Sequence, residues 1–233
     1  MTRRVGLVDL LAGLPDPIRV GAALLTQLGD VWWLIALTVA VWIVDRRRPI
    51  VRERSDPIAV LALVIGGYAL TTLLKAAFGL PRPPIGSPTG PEWLGPVGRG
   101  AIDTMAHADG FGFPSGHAIG ATLVYGALAR RVTLGTARQR AVVAAGLVGL
   151  IATTRLVLGV HYLVDVLAGI AIAVALLAVI ERFRPGPRVI VGAATALAGL
   201  AAVLTLDPRL AAAAMLPVGG WALAARLDRS LDR

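Results

Sequence analysis

Residues 163–182 read LVDVLAGIAIAVALLAVIER: Leu163 to Ile180 carries one charge, Asp165, before Glu181-Arg182 closes the run. An apolar run of about 20 residues is the length at which an α-helix crosses the hydrocarbon core of a bilayer. Similar runs recur on both sides of it, each ended by charge or proline. The stretches lie within about Val20 to Val44, from Pro57 to about Leu80, from Pro114 to Arg130-Arg131, and from Arg140 to about Gly159. Beyond Arg182, Val189 to Leu206 and Leu210 to Ala225 are bounded by Pro185, Pro187 and Pro208. The last contains Pro217 and Gly219-Gly220 and is only marginally long. Lipid tolerates no unsatisfied backbone, so the fold predicted is all-α, a polytopic membrane helix bundle of about seven spans, six to eight.

Composition agrees. The chain has 233 residues, 56% hydrophobic and 16% charged, with a mean hydropathy of +0.74. Soluble domains carry about 25% charged residues. The formal charge is +9, from 23 basic and 14 acidic residues. That excess does not indicate a nucleic-acid partner here, because basic residues mark the cytoplasmic loops of membrane proteins. Fifteen of the 23 fall on one face if the spans alternate: Arg46, Arg47, Arg48, Arg52, Arg54, Arg130, Arg131, Arg138, Arg140, Arg182, Arg184, Arg188, Arg226, Arg229 and Arg233. That face is predicted to be cytoplasmic in a multi-pass protein of the cell membrane. Arg3, Arg4 and Arg19 are discordant, unless residues 5–24 hold an extra span. The chain divides into an N-terminal interfacial segment, 1–19, a core, 20–182, and C-terminal spans with a basic tail, 183–233. It has no cysteine, which excludes disulfides and thiolate metal sites.

Three segments at the outer ends of spans hold polar residues that need a reason, since charge inside or beside a span is costly. The first is Lys75-Ala-Ala-Phe-Gly-Leu-Pro-Arg82-Pro83, and Lys75 is the only lysine in the chain. About two helical turns separate Lys75 from Arg82, so both are expected to face one way before the prolines end the helix. Taken alone, each could be a basic side chain snorkelling to the headgroups. The second is Phe113-Pro114-Ser115-Gly116-His117. Proline suits a first helical turn, and the N–H groups of Ser115, Gly116 and their neighbours form an anion cradle at a helix N-terminus. His117 stands in that turn, placed to give up a proton; the bland alternative is a cap followed by an interfacial histidine. The third runs from Thr154-Arg155 to His161 and Asp165. His161 and Asp165 are i and i+4, stacked on one helix face. A carboxylate bonded to one imidazole nitrogen leaves the other free as a nucleophile, although a purely structural His–Asp bond has the same spacing.

Together these spell K-x6-R-P, P-S-G-H and [S/T]-R-x5-H-x3-D. The pattern resembles the type 2 phosphatidic acid phosphatase (lipid phosphate phosphatase) family, within the superfamily that includes the vanadium haloperoxidases. The resemblance covers about Lys75 to Asp165, with Thr154 standing where serine is commoner. It implies an acid phosphatase/vanadium haloperoxidase-like core with the motifs gathered at one end. It also implies a phosphohistidine on His161 oriented by Asp165, with His117 as general acid. Lys75, Arg82 and Arg155 then form a cationic clamp, and Ser115 and Gly116 a hydrogen-bonding cradle. The chemistry fits, because phosphoryl transfer spreads negative charge over three oxygens and placed cations stabilise it. The substrate implied is a lipid phosphate or polyisoprenyl diphosphate drawn from the bilayer, at an extracytoplasmic site. No cofactor and no metal are implied, since no carboxylate cluster accompanies the site. His107, in Asp103-Thr-Met-Ala-His107-Ala-Asp109, lacks the further ligands that zinc needs. A vanadate-dependent haloperoxidase is the alternative in the same superfamily, but those enzymes are soluble. A transporter is the alternative of another class, yet the ionisable residues cluster at one end rather than along a path.

Overall fold

The structure, a computed structural model, describes residues 7–53, 56–85 and 90–231. The expectations for Arg3, Arg4, Arg54, Arg233 and the start of the N-terminal segment lie outside the described residues, as do those for the side chains of Arg226 and Arg229. Two short helices, α1 (Leu7–Ala12) and α2 (Asp16–Thr26), precede a 3-10 turn (Gln27–Gly29) and α3 (Val31–Arg47). Next come α4 (Asp56–Phe78) and a 3-10 turn (Glu92–Leu94) leading into α5 (Gly95–Ala106). The chain continues as α6 (Gly116–Arg131), α7 (Ala137–Val157), α8 (Leu163–Phe183), α9 (Pro187–Thr205) and α10 (Pro208–Leu231). The only extended pairing among the described residues is one bridge, Val51 to Val132.

A helix occupies each of the seven expected span positions, but they are not equal. By length and composition α4, α7, α8 and α9 can cross a membrane, and α2 with α3 makes a fifth span if a 53° bend is counted within it. The first expected span is therefore not straight. At Gln27–Gly29 the backbone tightens into 3-10 geometry and Asp30 is extended, so α3 starts afresh on a new axis. The sixteen residues of α6 rise about 24 Å, less than a hydrocarbon core of about 30 Å. Pro217 lies inside α10. Neither α1, with 6 residues, nor α2, with 11, spans a bilayer on its own. The Pro/Gly-rich stretch expected as loop, 81–113, also holds the twelve residues of α5. Pro96 suits its first turn, a signal that the surrounding glycines obscured.

At the centre lie α4 and α6. α4 packs against α9, α6, α3 and α10, while α6 also meets α7 and α8. Leu63 and Val64 of α4, Ile119 and Leu123 of α6, Leu177 of α8 and Ile190 of α9 share one buried cluster. Between helices in lipid, close packing replaces the hydrophobic drive, so small residues matter at crossings. A Cβ on Gly126 would stand 2.7 Å from Leu177 Cδ1, which is why α6 and α8 can touch there. At the basic end, Arg131 Nε pairs with Asp56 Oδ1 at 3.1 Å, and Asp45 Oδ1 accepts from the amides of Ile50 and Val51 at 2.8 and 3.0 Å. These contacts fix the arginine-rich loops as one layer, opposite the end where the three motifs meet.

Candidate active site

Each motif sits where a helix begins or ends. α4 stops at Phe78, and Gly79 (φ 58°) turns the chain in the left-handed region that favours glycine. Arg82 thus follows in a loop, and the expected continuous helix from Lys75 to Arg82 is not formed. Arg82 is fixed instead by carbonyls: Nε and Nη2 donate to Asp109 O at 3.0 and 2.9 Å, and Nη1 to Val160 O at 3.0 Å. The neighbouring loop is tied by Gly112 N–H, which donates to Leu80 O at 2.8 Å.

Ser115 is the N-cap of α6, so Pro114 stands just before the helix and not in its first turn. The Ser115 hydroxyl accepts from Ala118 N–H at 3.5 Å, and its own N–H donates to Asp165 O at 3.0 Å. That last bond welds the second motif to the third. It also occupies one donor of the expected cradle, leaving the N–H groups of Gly116 and His117, which as first residues of the helix have no intrahelical acceptor. Gly169 permits the join, because a Cβ there would lie 2.8 Å from Ser115 O and 3.0 Å from Ala118 Cβ.

α8 begins at Leu163, so His161 precedes the helix and does not lie on its face as the i, i+4 spacing suggested. Asp165 is in the first turn, where its Oδ2 accepts from Tyr162 N–H at 2.9 Å as a cap does. The same oxygen lies 3.5 Å from His161 Nδ1, so the pair meets through a cap geometry. On the other side of the ring, His161 Nε2 is 3.1 Å from Arg82 Nη1. His161 and Asp165 are both buried. Burial, then Arg155, Arg82 and Lys75, hold the His161 imidazolium well below its usual range, so the ring is neutral at neutral pH.

Arg155, 2% exposed, donates from Nη1 to Thr26 Oγ1 at 2.9 Å, and its Nε has no partner. Asp30 lies within electrostatic reach of it. His117, whose Nε2 is shielded and without a partner, is within reach of Arg155, His161, Lys75 and Arg82. The Thr154 hydroxyl turns back to Ile151 O at 2.7 Å, away from any ligand. Lys75, Arg82, Arg155, His117 and Asp165 thus lie within contact or electrostatic reach of the His161 ring, and the Ser115-Gly116 segment is tied to the same end of the bundle through Asp165 O. His107 stays apart, exposed and 3.8 Å from Asp109. Sequence reasoning missed Thr26. A lone threonine ending an apolar helix gives little signal until the bend carries it to Arg155.

A family model described as the PAP2 superfamily matches residues 56–187, more than half of the chain and all three motifs. The chain belongs to the PAP2 superfamily. This agrees with the family resemblance of the motifs. Phosphatidylglycerophosphatase B of Bacillus subtilis (strain 168) is 31% identical over 98 residues, 40% of this chain and 48% of that protein. The similarity thus spans about half the length of that relative. The fold resembles the crystal structure of the first transmembrane PAP2 type phosphatidylglycerolphosphate phosphatase from Bacillus subtilis. The TM-score is 0.57 at 22% identity, covering 77% of this chain and 83% of that one. Thr26 and Asp30, on the bent first helix, lie outside the residues that the PAP2 model matches.

Proposed function

We propose that this protein is an integral-membrane phosphatase that hydrolyses a lipid phosphate through a phosphohistidine at His161, without a metal. The observation that carries this reading is the setting of His161, buried between Asp165 Oδ2 at 3.5 Å and Arg82 Nη1 at 3.1 Å. The Arg82 guanidinium can only donate, so Nε2 carries the lone pair that attacks phosphorus and the ring proton sits on Nδ1, which faces Asp165 without a hydrogen bond to it. A bound phosphoryl group draws Arg82 from Nε2 onto its own oxygens, joined by Lys75, Arg155 and the amides of Gly116 and His117. Nε2 then attacks phosphorus, the P–O bond to the leaving group breaks, and His117 gives that oxygen a proton. In the second half, His117 takes a proton from water as the water oxygen attacks phosphorus and the P–N bond breaks. The cations stabilise charge that grows on the three equatorial oxygens.

The substrate class is a phosphomonoester or diphosphate carried on a lipid. The name of the Bacillus relative favours a glycerophospholipid phosphate within that class. Phosphate release by purified protein from phosphatidic acid, phosphatidylglycerophosphate and a polyisoprenyl diphosphate tests this. His161→Ala is expected to abolish release from all three, and retained turnover in it rules out the nucleophile. The site is assigned to the extracytoplasmic face because the arginine-rich layer lies at the other end of the bundle.

A further inference from the structure

The helices α6, α7 and α8 bring one end each to the phosphate site and separate toward the other. A cleft of about 1150 Å³ opens there, floored by Thr122 and Gly126 of α6 and walled by Val148 of α7 and Val174 and Leu177 of α8. Its interior is apolar and its mouth is basic. Two mouth arginines have acidic partners: Arg131 with Asp56 at 3.1 Å, and Arg130 with Glu181 at 3.6 Å. Arg140 donates to the carbonyls of Ala129, Leu134 and Gly135. Arg52 and Arg184 are exposed and have no acidic side chain paired with them among the described residues, so even with Glu53 also lining it the mouth keeps an excess of positive charge. Arg130 bends inward, with Nη1 donating to Gly126 O at 3.0 Å. Its guanidinium therefore sits about one turn from Thr122.

Thr122 is the second, independent observation. It is 5% exposed, it lines the cleft, and its hydroxyl has no hydrogen-bond partner. Thr38, Thr71, Thr72 and Thr153 each donate to the carbonyl four residues back. Thr122 does not, and a shielded hydroxyl without a partner is costly. One ligand meets all three features: an anion for the mouth, a hydrogen-bond acceptor one turn deeper, and an alkyl chain beyond.

We propose that this cleft binds an anionic phospholipid at the membrane face opposite the phosphatase site. Its phosphate draws Arg130 away from Glu181, with Arg184 and Arg52 beside it, an ester carbonyl accepts from the Thr122 hydroxyl, and one acyl chain lies along Val148, Val174 and Leu177. The lipid is a structural ligand and undergoes no reaction.

The test uses full-length protein and native mass spectrometry after incubation with phosphatidylserine or phosphatidylcholine. Neither lipid has a terminal phosphate to hydrolyse, and the readout is retained lipid, so the result is separate from the phosphatase reading. Wild type is expected to retain phosphatidylserine over phosphatidylcholine. Arg130→Gln/Arg184→Gln is expected to weaken phosphatidylserine by about 25-fold, at about fivefold per arginine, and to leave phosphatidylcholine alone. Thr122→Val is expected to weaken both lipids alike, by about fivefold. Phosphatase activity on a short-chain substrate is expected to be unchanged in the arginine variant, which shows that it is folded. Equal retention of the two lipids by wild type, or undiminished phosphatidylserine on the double variant, overturns the proposal. A lipid-free dimer that the variants convert to monomer overturns it in favour of a second copy in the cleft.

Discussion

Thr26→Val removes one hydroxyl and keeps the shape of the side chain. Thr26 is fully buried, and its Oγ1 accepts from Arg155 Nη1 at 2.9 Å. No other side-chain bond holds Arg155 among the described residues, and its Nε is already without a partner. A hydrogen bond that involves a charged group contributes about 1.5–3 kcal/mol. If the loss falls on the guanidinium's aim at the transferring phosphoryl group, kcat/KM drops by about 10- to 150-fold. The effect belongs mainly to kcat, because the clamp matters most where charge develops. The assay is steady-state phosphate release on a lipid phosphate in detergent micelles, with the thermal midpoint measured alongside. Thr26→Ser restores the hydroxyl and is expected to recover most of the rate. Thr38→Val, which alters a buried threonine bonded within its own helix, is expected to leave kcat near wild type. A fully active Thr26→Val enzyme, or a Thr26→Ser enzyme as slow as Thr26→Val, refutes the positioning role.

A Cβ on Gly29 would lie 2.6 Å from Ile151 Cγ2 and 3.2 Å from His117 Cδ2, so Gly29→Ala is expected to displace the proton donor and lower kcat more than it raises KM. Gly169→Val should push α8 off the α6 N-terminus, costing about 1–3 kcal/mol, visible as a lower thermal midpoint together with lost activity. Burial and three cations disfavour the His161 imidazolium, so kcat/KM is expected to hold as pH falls through about 6.5 and to decline only below it. Arg82→Gln removes one of those cations, raises the His161 pKa and moves the acidic limb to higher pH; a limb that stays put or moves lower contradicts this. Because the chain has no cysteine, single cysteines report sidedness cleanly. Val97→Cys in α5 is expected to react with an impermeant maleimide in intact cells, and Leu134→Cys, in the arginine-rich layer, only after lysis; the reverse pattern inverts the topology.

The apolar runs and the three motifs were legible because both are local properties of the chain. A run of about 20 apolar residues carries its own reason to be a membrane helix, and a motif of fixed spacing names its chemistry wherever it is placed. The roles of Ser115 and His161 were less legible. Both lie at helix ends, and capping decides which residue is the first inside: Ser115 is a cap, so Pro114 falls outside, and Asp165 is a capping acceptor, so His161 falls before α8. An i, i+4 spacing predicts a shared face only within a helix. Here the two side chains still approach, to 3.5 Å, but by a different geometry.

By itself the sequence determined that the chain is a helical membrane protein of the PAP2 superfamily, and it singled out the eight residues proposed here to grip and cleave a phosphoryl group. Only the tertiary structure decided what holds those eight in place. The Ser115 amide on Asp165 O, the Arg82 guanidinium on Asp109 and Val160 carbonyls, and the Thr26 hydroxyl on Arg155 join segments that lie 50, 27, 78 and 129 positions apart or bond through main-chain atoms every residue shares. No residue type announces such a bond. It exists because α6 and α8 pack closely at Gly169 and because the chain bends 53° after Thr26, and both are facts of packing.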